Sequence, residues 1–353
     1  MTQPMQRFDL SPGYEISRVI RGGWQLSGSH SASVSDDPAD DMIAFADAGI
    51  TTFDCADIYT GVEELIGQFR TRYRDRRGRQ ALDRIKVHTK FVPDLDMLPH
   101  ITKSYVETVI DTSLRRLCME RLDLVQFHWW NYDVPRWLET AHWLEDLRRA
   151  GKIDRIGGTN FDTRRMVQMI ESGVPIASMQ VQYSLLDRRP RKAMVAAARK
   201  HGVALLCYGT VAGGFLSEKW LGVPEPKGQM ENRSLTKYRL IIQEFGGWDL
   251  FQTLLRALKD IAQRHNSDIA TVASAAALEW PAVAAVIVGA RNRAHLPANL
   301  AVSDLALSTE DRARIDQVLA DSQELDGDVF DLERDTAGRH GSIMKYNLNK
   351  GAA

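Results

Sequence analysis

The stretch TTFDCADIYTGVEE (residues 51–64) joins a short apolar strand to a helix through a polar loop. Asp54 and Tyr59 stand five positions apart in that loop, and a helical pattern begins at Gly61. An acid and a phenol at a strand end are poorly placed for packing and well placed for proton chemistry. Because strand–loop–helix is the unit of α/β folds, the stretch predicts an α/β protein with its chemistry at the strand ends.

The same unit recurs along the whole chain. Eight short apolar runs predict buried parallel strands. They lie at residues 17–20, 51–53, 85–89, 122–127, 153–157, 177–181, 203–207 and 285–288. Helical patterns follow between them, at residues 102–118, 135–150 (with Pro135 in the first turn), 191–201, 250–265 and 269–279. Eight such units favour a (β/α)8 TIM barrel, with its active site in the loops after the strands.

A doubly wound open sheet is the competing architecture, and it usually carries GxGxxG after its first strand. Residues 21–28 read RGGWQLSG and lack that pattern, so we expect a single barrel domain over residues 1–322. Residues 221–247 are long for a connecting loop, and such loops are usually functional or mobile, which predicts a lid over a bound ligand. The C-terminal tail, residues 323–353, either wraps onto the barrel or is disordered.

Composition narrows the function classes. The 353-residue chain is 44% apolar and carries a net charge of −1. A chain so close to neutral has no strong positive field that would attract nucleic acid or an anionic membrane. Six arginines within residues 70–79 are expected to form a solvated helix end. Three scattered cysteines argue against a disulfide framework, and the histidines show no metal-ligand spacing. With no apolar run of membrane-spanning length and no signal-peptide core, we expect a cytoplasmic protein acting on small molecules, as a monomer or a homo-oligomer.

Two further strand ends carry polar groups. Lys90 closes the third predicted strand, and His128 follows the fourth. Taken singly, such a lysine is more often a solvated charge and such a histidine more often packing. Together with Asp54 and Tyr59 on one barrel rim, they would form a connected proton-transfer site. His88, two residues before Lys90, is expected to be interior packing.

The loop at residues 51–64 resembles the active-site signature of the aldo-keto reductases, which has an Asp and a Tyr at this spacing. The resemblance extends over about residues 19–300. Its other parts are GKIDRIGGTNF at residues 151–161, Gln180, Tyr208, and VIVGARN at residues 286–292 followed by Asn299. Thr159 stands where that family usually has Ser.

The resemblance implies roles for the four strand-end residues. Tyr59 would be the general acid, Lys90 and Asp54 its tuning pair, and His128 a donor that orients the carbonyl. Carbonyl reduction needs a hydride at carbon, which only a cofactor can supply, and a proton at oxygen. Free tyrosine has a pKa of roughly 10, and a neighbouring ammonium is expected to lower it.

The resemblance also implies NADP(H) as cofactor, with NAD(H) left possible. The nicotinamide amide would lie against Thr159, Asn160 and Gln180, with the ring stacked on Tyr208. The remaining cofactor positions are Gly23, Trp24, Asp54, Gly209, Val211, Gly289, Arg291, His295 and Asn299. Many members carry Lys-Ser where this chain has Gly289 and Ala290, so Arg291 is expected to supply the charge that holds the 2′-phosphate.

The substrate pocket is predicted to have aromatic walls made by Trp24, Trp129 and Trp130, together with Tyr59 and His128. Such walls suit an apolar or partly cyclic carbonyl, and loop packing is the alternative role for the tryptophans. We therefore expect a reductase of aldehydes or ketones, or the reverse oxidation of a sugar or alcohol. A cofactor-binding regulatory protein, similar to the potassium-channel β subunits, is the alternative.

Overall fold

The computed structural model describes residues 4–27 and 35–349. Its centre is a closed barrel of eight parallel strands, preceded by an antiparallel hairpin. The hairpin strands are β1 (Arg7–Ser11) and β2 (Tyr14–Ser17). The barrel strands are β3 (Val19–Gly22), β4 (Thr52–Asp54), β5 (Lys86–Phe91), β6 (Leu122–Phe127), β7 (Ile153–Thr159), β8 (Ile176–Gln182), β9 (Ala204–Tyr208) and β10 (Val283–Gly289). The predicted TIM barrel is confirmed, and each of the eight predicted strands overlaps one barrel strand.

The hairpin was not predicted. Ser17 ends β2 instead of starting the first barrel strand, because the chain turns there and enters the barrel at Val19. The hairpin buries Leu10 and Tyr14 against the barrel interior. The Tyr14 ring stacks on His88, which is fully buried, so His88 is interior packing as predicted.

Thirteen α-helices lie in the described residues, besides seven short 3-10 helices. They are α1 (Pro38–Asp47), α2 (Val62–Arg77), α3 (Arg79–Leu82), α4 (Lys103–Arg116), α5 (Trp137–Arg149), α6 (Thr163–Glu171), α7 (Met194–His201), α8 (Arg233–Phe245), α9 (Gly247–Arg264), α10 (Ile269–Leu278), α11 (Leu296–Asp304), α12 (Thr309–Ala320) and α13 (Asp331–Arg334). Pro135 lies outside α5, since Arg136 takes a left-handed conformation (φ 81°) and the helix begins after it. Four arginines of α2 pair with aspartates at the surface and form the predicted solvated helix end: Arg72, Arg74, Arg76 and Arg77. Arg70 instead is largely buried, and burial lowers its pKa.

The long segment after β9 contains a helix, and a lid role for residues 221–247 stays a prediction. Residues 233–245 form α8, whose Tyr238 and Ile242 are buried in a hydrophobic cluster with Phe215 and Phe251. The apolar residues of α8 recur at helical spacing, but the Gly, Pro and Asn residues of the segment favoured the prediction of a loop.

The C-terminal tail wraps onto the barrel as far as it is described, through residue 349. Val329 and Phe330 are buried in the main core cluster, and the Glu333 side chain is fully buried. Among the described helices, none is long and apolar enough to cross a membrane. Within the same residues, no cluster of histidine, cysteine or acidic side chains could hold a metal ion.

Candidate active site

A buried ion pair links the ends of β4 and β5. The Nζ atom of Lys90 lies 2.6 Å from Oδ2 of Asp54 and 2.8 Å from the carbonyl oxygen of Cys55. Each of the two charged side chains is 5% exposed. Burial disfavours the ammonium, but the charges of Asp54 and Tyr59 outweigh that effect and raise the pKa of Lys90 above its ordinary value. Lys90 is therefore charged at neutral pH.

The second oxygen of Asp54 is held by two amides. Oδ1 accepts from Nε2 of Gln180 at 2.6 Å and from Nε2 of Gln126 at 2.9 Å. The carboxylate is thus fixed by three donors, and Lys90 is fixed through it. Gln126 was not predicted as a residue of the site. Gln126 precedes His128 by two residues along extended chain, so the two side chains point to the same side. That spacing is the sequence signal that could have predicted Gln126 as a site residue.

Tyr59 lies beside this pair. Nζ of Lys90 is 4.9 Å from the centroid of the Tyr59 ring, and the Trp24 ring packs at 5.0 Å. Burial raises the pKa of Tyr59, and the positive charge of Lys90 opposes that rise without cancelling it. Lys90 thus acts with the expected sign but does not lower the pKa below its ordinary value. The phenol keeps its proton at neutral pH, as a general acid must.

Asp57 holds the loop that carries Tyr59. Its Oδ2 accepts from the backbone N–H of Val92 at 3.0 Å, and its Oδ1 accepts from that of Ile58 at 2.9 Å. The side chain is buried, and burial raises its pKa well above the ordinary value for an aspartate. Asp57 therefore clamps the Tyr59 loop to the end of β5. Sequence reasoning gave this residue no role, because its partner Val92 is distant along the chain.

His128 follows β6 and is 2% exposed. Its Nδ1 lies 2.9 Å from the carbonyl oxygen of Thr159. A carbonyl only accepts, so Nδ1 must carry the proton. Burial, and then the charge of Arg334, lower the pKa of His128 to about 3, so the ring is neutral and Nε2 is a bare acceptor. The role that the resemblance implied for His128, a donor to the carbonyl, stays a prediction.

Two of the three predicted tryptophans lie at the site. Trp24 packs on Tyr59, and the Trp130 ring meets the His128 ring edge-on at 4.3 Å. Trp129 instead is fully buried, packs on Phe127, and donates from its indole to the carbonyl of Asn131 within its own loop. Loop packing is therefore the role of Trp129, because consecutive residues of this loop point in different directions.

The tail adds an aromatic group that sequence reasoning missed. The Phe330 ring lies edge-on to His128 at 5.6 Å. Lys237 of α8 sits 5.5 Å from the same ring and pairs with the buried Glu333 at 3.2 Å. Glu333 is also bound by the Arg189 guanidinium, at 3.0 and 3.1 Å. These ion pairs seat the tail at the catalytic end of the barrel.

Four predicted nicotinamide positions come together at the ends of β7, β8 and β9. The Thr159 hydroxyl lies 3.5 Å from Oε1 of Gln180, and the Asn160 N–H donates to the Gln180 carbonyl at 2.9 Å. Tyr208 donates from its hydroxyl to Oδ1 of Asn160 at 2.9 Å. Asn160 has a left-handed backbone (φ 59°), which turns the chain sharply after β7. Gly209 and Val211 follow in the turn after Tyr208.

The other predicted cofactor residues surround the junction of β3 and β10. A Cβ at Gly23 would lie 2.8 Å from the Asp54 carbonyl oxygen, and one at Gly289 would lie 2.5 Å from Nε2 of Gln25. Only glycine leaves room at Gly23, where the obstacle is backbone, whereas at Gly289 the flexible amide of Gln25 would have to move. Arg291 and His295 follow β10, and burial, then the charges of Arg291 and Arg21, lower the pKa of His295.

Asn299 lies on α11 near this junction. Its side chain is 8% exposed, and its Nδ2 donor has no hydrogen-bond partner among the described residues. An unpaired buried donor is costly unless a ligand or water completes it. The glycine-lined junction and this orphaned amide fit a polar ligand such as the adenosine part of a dinucleotide.

Comparisons with known proteins agree with this geometry. A model of the Aldo/keto reductase family matches residues 18–320. The aldo-keto reductase YhdN of Bacillus subtilis is 26% identical over 317 residues, covering 87% of this chain and 91% of that protein. L-glyceraldehyde 3-phosphate reductase of Escherichia coli is 28% identical over 343 residues, covering 91% and 94%. A solved thermostable aldo-keto reductase, in complex with the inhibitor epalrestat, has a TM-score of 0.69 and 26% identity, covering 89% of this chain and 100% of that one.

Proposed function

Since the chain belongs to the aldo/keto reductase family, a family of oxidoreductases acting on carbonyls, we propose that it reduces an aldehyde or ketone with NADP(H), or catalyses the reverse oxidation. The observation that carries the proposal is the buried Lys90–Asp54 pair beside Tyr59. A charged pair at 5% exposure is costly to bury, and replacing such pairs by apolar residues is often neutral or stabilising. Because the Lys90–Asp54 pair lies beside the protonated phenol of Tyr59, we infer that it is there for catalysis and not for stability.

The residues divide the proton chemistry among them. A bound nicotinamide coenzyme supplies the hydride to the carbonyl carbon. Tyr59 gives its phenolic proton to the carbonyl oxygen, which takes up the electron pair of the C=O bond and becomes a hydroxyl. Lys90 stabilises the phenolate left behind, and Asp54 holds the ammonium in place. In the oxidative direction, the Tyr59 phenolate takes the proton from the alcohol.

NADP(H) is the coenzyme that the β10 junction supports best. Burial and then the charge of Arg291 lower the pKa of His295, so of these two residues only Arg291 is positively charged at neutral pH. A guanidinium matches a phosphate dianion with two parallel hydrogen bonds, which a ribose hydroxyl cannot use. NAD(H) is the alternative, and the relative affinity of Arg291→Ala for NADPH and NADH decides between the two coenzymes.

Tyr59→Phe tests the proposed chemistry. The variant keeps the ring beside Lys90 but removes the proton, so turnover of a panel of aldehydes and ketones should fall by about a hundred- to ten-thousandfold. Coenzyme binding, followed by tryptophan fluorescence, should stay unchanged. Tyr105→Phe is the matched control, since Tyr105 lies on α4 and packs on Phe91.

Near-wild-type turnover in Tyr59→Phe would refute the assignment of the acid. If the wild-type protein bound coenzyme but turned over no carbonyl or alcohol of the panel, a cofactor-binding regulatory role would be favoured instead.

A further inference from the structure

Two cations lie near the Phe330 ring at the catalytic end of the barrel. Nζ of Lys237 lies 5.5 Å from the ring centroid, and the guanidinium of Arg334 lies 5.6 Å from it. The His128 ring lies 5.6 Å from the same centroid. Both charges are therefore one aromatic ring away from a residue of the candidate active site.

Arg334 brings a positive charge that, among the described residues, no hydrogen-bonded carboxylate neutralises. Its Nη1 donates to the carbonyl oxygens of Trp129 and Trp130, and its Nη2 donates to that of Asn160 at 2.5 Å. Its Nε is buried and has no hydrogen-bond partner in the same part of the chain. Because carbonyl oxygens carry no net charge, the guanidinium adds positive charge to this end of the barrel.

Lys237 carries the donors that a ligand can reach. Its ammonium lies 5.5 to 5.8 Å from the centroids of three aromatic rings, those of Phe330, Tyr208 and Tyr238. It pairs with Oε1 of Glu333 at 3.2 Å, an oxygen that also accepts from Arg189 at 3.1 Å. An ammonium has three donors, and this side chain is 12% exposed. Lys237 therefore keeps donors for a further acceptor.

The position of Lys237 connects the coenzyme side of the site with the carbonyl side. Tyr208 is the ring on which the nicotinamide is expected to stack, and Phe330 packs on His128. A carbonyl compound held between the nicotinamide and His128 thus lies among rings that also surround Lys237.

We propose that Lys237 binds an anionic group, a carboxylate or a phosphate, on the carbonyl substrate, and that Arg334 adds to the attraction. The inference rests on the proposed function and names the substrate class of the same site: aldehydes and ketones that carry a negative charge about one aromatic ring from the carbonyl. A partly desolvated ammonium attracts an anion more strongly than an exposed one, because less water screens the charge.

A matched pair of aldehydes tests this. 4-Formylbenzoate and its methyl ester share the ring and the aldehyde, and only the acid is charged at neutral pH. Wild type should have the higher kcat/KM for the acid, and the ratio of acid to ester should fall roughly ten- to a hundredfold in Lys237→Met. Lys237→Arg, which keeps the charge, should retain part of the preference. The same comparison with 4-formylphenyl phosphate shows whether phosphate or carboxylate is bound better.

The ratio separates substrate binding from support of the tail. A loosened tail would slow both aldehydes together and leave the ratio unchanged. Lys192→Met is the matched control, because Lys192 also binds the tail, through the Leu325 carbonyl at 2.6 Å, and should keep the wild-type ratio. An unchanged ratio in Lys237→Met would overturn the proposal, and so would an equal fall in Lys192→Met.

A second measurement does not depend on turnover. Calorimetric titration of the protein with oxidised coenzyme bound should show tighter binding of 4-formylbenzoate than of its ester, and Lys237→Met should lose that difference. A variant that binds both aldehydes as wild type does but binds NADPH more weakly would show that Lys237 serves the coenzyme, against the proposal. Failure of the proposed function has a different signature, which is no turnover of either aldehyde while the coenzyme and the acid still bind.

Discussion

Lys90→Met is the perturbation whose outcome the structure specifies most fully. The variant keeps the length of the side chain but removes the ammonium 2.6 Å from Asp54. The carboxylate is then left buried, with only the amides of Gln126 and Gln180 as partners. Removing one member of a buried pair costs about 3–5 kcal/mol of unfolding free energy.

Urea denaturation of wild type, Lys90→Met, Asp54→Asn and the double variant measures the coupling. Fluorescence and circular dichroism should be followed together, so that a single transition is verified. The double variant should cost less than the sum of the single ones, by about 2–3 kcal/mol. Lys86→Met, on the same strand, is the control, because its ammonium donates to the Asp83 carbonyl at an exposed position. Additive costs for the two single variants would refute the account of the pair as one energetic unit.

Three other outcomes can be measured. In fluorescence titrations, Arg291→Ala should weaken the binding of NADPH by roughly ten- to a hundredfold and leave the binding of NADH unchanged. Arg293→Ala, which loses ion pairs to Asp40 and Asp41, is the control and should change the binding of both coenzymes equally. Equal weakening of both coenzymes in Arg291→Ala would contradict the assignment of Arg291 to the phosphate. Burial and then the charge of Lys90 lower the pKa of His88 to about 3. Because the unfolded chain takes up this proton first, wild type should lose about 1.4 kcal/mol of unfolding free energy per pH unit relative to His88→Phe as the pH falls from about 6 to 4. Parallel plots of unfolding free energy against pH for the two proteins would contradict this. The aromatic walls should give benzaldehyde a higher kcat/KM than a free aldose, and a strong preference for the sugar would count against that pocket.

The barrel could be predicted because its signals are local. Each strand is a short apolar run followed by a polar loop, and eight such units without a GxGxxG loop after the first strand favour a barrel over an open sheet. The strand-end placement of Asp54, Lys90 and His128 follows from that topology, since neighbouring parallel strands bring their carboxyl ends to one rim. Tyr59 follows because its loop leaves the same end.

The sequence by itself therefore determined the architecture, the family resemblance and the four residues expected to carry the chemistry. Only the tertiary structure decided how those residues are held and charged. The acceptor state of His128 depends on a carbonyl at Thr159 and a guanidinium at Arg334, 31 and 206 positions away. Trp129 and Trp130 are chemically identical neighbours, and only packing decides that one is core and the other lies beside the site. The physical reason is that burial and charge balance are sums over distant groups, which no local pattern contains.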